Sequence, residues 1–351
     1  MVLALDNWIL LHCSFGRDVV SRVLIFFSRL AAFAYRHTLK RLLLFASYQI
    51  GGLLLAGSHT RQKINRIYNQ LSPRWVLWFC KVFDRAPIWS DFVWLSEFNG
   101  KTLSVPVMRG MLRSWCNARH WKWFAATSKG TDLFYRFIVE NMAPSVVFDV
   151  GANDGLHAYK FALHGFRCIC FEPQQACVEY IHRVCELNRF DHVKVEPCVL
   201  SDKEGQVEFF TSESTWYSSV DRHHTEHHEA VTKHKTKAMT LDQYCREQDI
   251  FPAVVKIDVE GHELNVLRGG ESVIARCRPH LVMEIWPGSE NKKDIWFLLK
   301  QYGYMFIGDD GVVLGSLEQF MASSNLDYIL ISDPGLSGRF LEYSSRAEMS
   351  L

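Results

Sequence analysis

The spacing of apolar and polar residues changes rhythm at Pro144. Beyond it, the β-rich runs Ser145–Val150, Arg167–Glu172, His192–Glu196, Ala253–Asp258 and His280–Trp286 alternate with helix-like segments such as Gln174–Asn188 and Asn291–Tyr302. Strands separated by helices require crossover connections. The pattern therefore predicts a mainly parallel sheet with helices on both faces. Two late runs, Tyr304–Ile307 and Asp327–Ser332, follow in close succession and are expected to close the sheet as an antiparallel pair. The result is an α/β, Rossmann-like domain over residues 141–335, with 336–351 as a C-terminal tail.

Ahead of Pro144 the pattern is of another kind. Val19, Val23, Phe27, Leu30 and Ala34 fall on one side of a helix, while Arg22, Arg29 and Arg36, seven apart, form a polar stripe. Such a helix can lie flat on an anionic membrane surface. Leu42 to Thr60 carries no formal charge but contains Ser47, Gln49, Gly51, Gly52 and Gly57, so it is a marginal span against the ~20 apolar residues a bilayer needs. Basic residues flank it on both sides and give no orientation. A spanning helix, in-plane attachment through 18–60 and a helical cap on the protein's own body all stay open. Residues 1–66 are expected to form this basic, apolar helical region. Residues 67–140, which carry seven Trp, are expected to form a cap or connecting region. Those rings would serve core and interface packing or stack against sugar rings.

Composition narrows the picture. At 351 residues and 48% hydrophobic, the chain can bury a sizeable core and is not disordered. Thirty-nine Lys and Arg against 38 Asp and Glu remove any global electrostatic case for a nucleic-acid partner. Nine of the basic and only two of the acidic side chains lie in residues 1–66, which sets that region apart. The ten Cys form no paired CxxC grid, which fits reduced thiols in a cytoplasmic setting, with membrane association through the N-terminal region as an added possibility.

The first strand of the domain runs directly into Gly151-Ala152-Asn153-Asp154-Gly155 and then into a helical segment. Glycines at such a turn allow a tight bend and close approach of a ligand. The second strand ends in Glu172, where a carboxylate can accept hydrogen bonds from a ribose diol. A nucleoside-containing cofactor follows, and the loop chooses among such cofactors. A dinucleotide fingerprint needs G-x-G-x-x-G, yet Asn153 stands at the middle glycine and Leu156 at the third. Asp149 adds a carboxylate that is unfavourable beside a diphosphate but tolerable beside a sulfonium.

With VVFDVGANDG, then FEP at 171–173, LSDKEG at 200–205, TLDQYC at 240–245, VVKIDVEGHELNVLRGG at 254–270 and PHLVMEIW at 279–286, the chain resembles the FkbM-type S-adenosylmethionine-dependent methyltransferases. The resemblance covers roughly residues 144–290 and implies a class I methyltransferase fold. It implies that Asp149, Gly151, Asn153 and Gly155 line the methionine end of the cofactor, that Glu172 holds the ribose, and that Ser201 and Asp202 lie at the adenine. It places Asp258 at the cofactor and the substrate entrance. Because such enzymes methylate hydroxyls of sugars or natural products, it implies O-methylation of a small-molecule, glycan or glycolipid acceptor.

Asp258, Glu260 and His262 are the candidate catalytic residues, as carboxylates or a base at a strand end facing the ligand crevice. Glu260 and Glu263 could instead cap the helix that follows, and Glu284 is a further possible substrate contact. The His-rich stretch within Thr215–Lys237 reads as a solvated lid over the acceptor. A histidine base, or zinc on pairs such as His223 and His227, is the alternative, but no third ligand completes a metal set and no metal is expected. Two other functions remain in play, a non-catalytic cofactor-binding scaffold and a nicotinamide oxidoreductase.

Overall fold

The computed structural model describes residues 93–106, 128–212 and 231–349. The proposed membrane-seeking segment 18–60, the helical reading of 1–66 and the histidines at 223–228 lie outside the described residues.

Five parallel strands form the centre of an eight-stranded sheet: β3 (Val146–Val150), β4 (Arg167–Phe171), β5 (Val193–Glu196), β9 (Val254–Ile257) and β10 (His280–Glu284). The spatial order runs β12-β11-β13-β10-β9-β3-β4-β5, where β11 is Met305–Gly308, β12 Val313–Leu314 and β13 Asp327–Ile331. β11 and β13 pair antiparallel as expected, and β13 inserts antiparallel beside β10. This is the mainly parallel arrangement, covered by helices on both faces, that the sequence pattern predicts.

Strand periodicity explains why both faces are apolar. Ile169, Phe148, Val255, Leu281, Leu330 and Phe306 are successive ladder partners and form one unbroken buried row. That face packs on α4 (Leu241–Gln248), α5 (Glu263–Gly269), α6 (Glu271–Cys277), α7 (Lys292–Lys300) and α8 (Leu317–Ala322). Their immediate neighbours Cys168, Val147, Val254 and Val282 point the other way, because side chains alternate along a strand. They meet α1 (Lys129–Asn141), α2 (Leu156–Ala162), α3 (Gln175–Asn188) and α9 (Pro334–Met349).

Two boundaries differ from those read in the sequence. Helix α1 belongs to the domain rather than to a connecting region: Phe134, Tyr135, Phe137 and Ile138 are fully buried, at helical spacing. Its Asp132 forms a buried ion pair with Lys160, and Asp309 accepts from its Gly130 amide. The hairpin of β1 (Val93–Phe98) and β2 (Lys101–Pro106) is tied to α3 by reciprocal bonds between Ser104 and Asn188. The segment expected as a tail is most of helix α9, whose Phe340 packs edge-on to Phe134 at 5.2 Å.

A smaller sheet joins β6 (Val199–Leu200), β7 (Gly205–Ser212) and β8 (Val231–Met239) in the order β6-β8-β7. Residues 231–237, read as the end of a loop, are strand. Thr232 to Lys235 are exposed, so no apolar alternation marked them.

Candidate active site

The carboxyl ends of β3, β4, β9 and β10 converge on a cavity of about 360 Å³. At one end lies the turn after β3. Gly151 has φ 75°, and a Cβ there would meet the Asp258 carbonyl oxygen at 1.8 Å, so only glycine lets the two strand-end loops approach this closely. The Gly151 and Ala152 amides both donate to the Phe171 carbonyl. Asn153, at φ 49°, lines the cavity, and its amide donates to Glu172 Oε2 at 2.8 Å. Glu172 Oε1 accepts from the Gln174 amide, also at 2.8 Å. Burial raises the Glu172 carboxyl to about 7, against the pull of these two amides.

The start of α2 is likewise filled by carboxylates. Asp154 Oδ1 accepts from Leu156 N at 3.2 Å, and Asp149 Oδ2 from Ala158 N at 3.0 Å. Amides that bind a diphosphate in a dinucleotide site are thus already occupied by the protein's own carboxyl groups. The donor set suits a cofactor that carries no phosphate and has a cationic centre.

At the other end Asp258, Glu260 and Glu284 each place an oxygen within 4.8 Å of the others, so the three could share a cation. The Lys256 ammonium donates to Asp258 Oδ2. Although burial opposes its charge, Asp258, Asp149 and Glu284 outweigh that effect and hold Lys256 well above the usual lysine range. Burial and then the Asp258 charge push Glu260 upward, while for Glu284 the Asp258 charge comes first and burial second. Like charges this close in a buried site cannot all ionise cheaply. Asp327 and the exposed Trp286 and Leu326 complete this end of the cavity.

Of the predicted site residues, Gly151, Asn153, Glu172, Asp258, Glu260 and His262 line the cavity. Asp149, Gly155, Ser201 and Asp202 stand behind its wall. Asp149 is fully buried under the turn, raised to about 6 by burial, and Gly155 is the left-handed N-cap of α2. Ser201 bonds to His262 Nε2 at 2.9 Å and donates to Asp202 Oδ1 at 3.1 Å, so both residues support His262 from outside the cavity. The capping alternative divides: Glu263 accepts from the Gly261 and Val259 amides, whereas Glu260 reaches the cavity. His157, bonded to Tyr135 Oη at 2.8 Å, also lines the cavity, as do Asp154, Lys256, Trp286 and Asp327. None of these five was singled out by the sequence. Only Lys256, a cation inside the apolar run VVKI, left a signal there.

Comparison with known families matches residues 149–306 to the model of the methyltransferase FkbM domain. That stretch of the chain is therefore similar to an FkbM methyltransferase domain. Among solved structures the chain is similar to the methyltransferase FkbM from Methylobacillus flagellatus KT, at 15% identity and TM-score 0.39 over 63% of this chain and 53% of that one. It is also similar to the precorrin-6y C5,15-methyltransferase from Geobacter metallireducens, at 10% identity and TM-score 0.33 over 57% and 86%. A third is the SAM-dependent methyltransferase from Agrobacterium tumefaciens, at 10% identity and TM-score 0.34 over 68% and 69%. The chain spans about half the length of the first of these. No curated protein matches it.

Proposed function

We propose that the protein is an S-adenosylmethionine-dependent O-methyltransferase acting on a hydroxyl of a sugar, glycolipid or natural product. One observation carries this reading. A single cavity joins a glycine turn and helix start, where the Asn153, Leu156 and Ala158 amides donate to carboxylates, to a separate acid cluster with a single lysine among its lining residues. The first end suits a phosphate-free cofactor, and the second suits a hydroxyl that must lose a proton.

Glu172 is the group to receive the ribose hydroxyls, because the two amides that hold it leave further lone pairs on each oxygen. Gly151 and Asn153 shape the turn around the methionine portion. When bound, S-adenosylmethionine supplies an electrophilic methyl group on a positively charged sulfur. Asp258 accepts the hydroxyl proton as general base, Glu260 orients the acceptor, and His262, fixed by Ser201, offers a second site for that proton. The rest of the contribution is alignment.

The test is single-turnover transfer of tritiated methyl groups from S-adenosylmethionine to a panel of methyl glycosides and hydroxylated lipids. Transfer to oxygen is expected. Cofactor binding without transfer to any member would favour the scaffold reading.

A further inference from the structure

Among the carboxylates of this site, Asp258 is held differently from Glu263 and from those at the glycine turn. Glu172 and Glu263 each grip two backbone amides, while Asp149 and Asp154 each grip one. Backbone amides are fixed by the fold itself. The Asp258 carboxylate has one hydrogen-bond partner among the described residues, the side chain of Lys256. Two other carboxylates of the same cluster crowd it.

Lys256 is itself unusual. It is the third residue of a four-residue strand buried throughout, and its side chain is 2% exposed. In the ladder it stands opposite Asp149 on β3, and Asp258 follows two residues on along the same face. A buried ion pair seldom repays the desolvation of both ions, and apolar residues of similar volume commonly serve stability as well or better. This pair borders the cavity, so its cost falls where the chemistry would be.

We propose that Lys256 is a positioning residue, which acts through Asp258 by tying down one carboxylate oxygen and so aiming the other at the acceptor. The inference rests on the function proposed above and adds to it a residue that makes no contact with the reacting atoms.

The experiment compares the full-length wild type with K256M, K256R, D258N and K256M/D258N. Each is assayed for methyl transfer to the best glycoside or lipid of the panel and for S-adenosylmethionine affinity by calorimetry. K256M should transfer at least 100-fold more slowly with affinity for S-adenosylmethionine changed less than threefold. K256R should recover at least tenfold of that loss, and the double variant should be no slower than D258N. A K256M protein that binds cofactor and transfers within threefold of wild type overturns the proposal. So does a double variant tenfold or more below D258N. If K256M fails to fold because Asp258 is left uncompensated, the double variant lacks both charges and still decides the matter. If the wild type transfers no methyl group, the functional reading falls, and a crystal structure of K256M tests the positioning by itself. Asp258 turned away from its wild-type position supports it, and Asp258 left in place refutes it.

Discussion

The two ends of the cavity treat their carboxylates in opposite ways. At the glycine turn each acid accepts from at least one main-chain amide, so its position is settled as soon as β3, β4 and α2 form. At the ends of β9 and β10 three acids lie within 4.8 Å of one another, and among the described residues the Lys256 side chain alone holds Asp258. The contrast matches the two tasks. A binding cradle gains from rigidity, while a proton acceptor needs an oxygen with unused capacity and a charge not fully compensated. A fully satisfied cluster would be more stable and less reactive.

The largest expected effect breaks both ends at once. Gly151→Ala would push a Cβ into the Asp258 carbonyl in a left-handed conformation and should destabilise the fold by about 4 kcal/mol or more in urea unfolding. A normal midpoint would show that the loops need not approach so closely. Asp258→Asn tests the reactive end alone. Turnover should fall by roughly 10²- to 10⁴-fold with cofactor affinity nearly unchanged, as read by single-turnover transfer and calorimetry. Glu172→Ala tests the cradle, and loss of a charge-assisted bond should weaken S-adenosylmethionine binding by about 1.5–3 kcal/mol. Unchanged affinity would remove Glu172 from the ribose role.

The smallest effect concerns pH. Glu260 and Glu284 are raised in the folded state, so the fold prefers them protonated. Their contribution is present below the ordinary carboxyl range and is lost as pH rises through and beyond neutrality. Without ligand, the thermal midpoint should therefore fall between pH 5 and pH 9. Glu284→Gln should flatten that slope by roughly 1 kcal/mol per pH unit at most. An equally steep slope in the variant would mean that the cluster is less strained than its geometry implies.

How much of this was legible in the sequence depended on what each residue faces. The central strands were read to within one or two residues because burial on both faces leaves continuous apolar runs, as in SVVFDV and HLVMEI. Helix α1 was missed because its apolar stripe at Phe134, Phe137 and Ile138 follows a Trp-rich region without a sustained period. Strand β8 was missed because its Lys and Thr residues are exposed and carry no binary pattern. In the site, the motif order revealed which loops meet but not which side of a loop each residue occupies. Hence Glu172 and Asp258 face the cavity, whereas Ser201 and Asp202 turn toward His262. Trp286, Asp327 and His157 reach the cavity from a loop, the start of β13 and the first turn of α2, which only the three-dimensional fold brings together.

The central claim is that this cavity is built for a phosphate-free, positively charged cofactor. The most direct measurement is a pair of calorimetric titrations of the full chain, one with S-adenosylmethionine and one with NAD. Saturable one-to-one binding of the first and no heat from the second is the predicted result. Binding of the dinucleotide with none of S-adenosylmethionine would contradict the account.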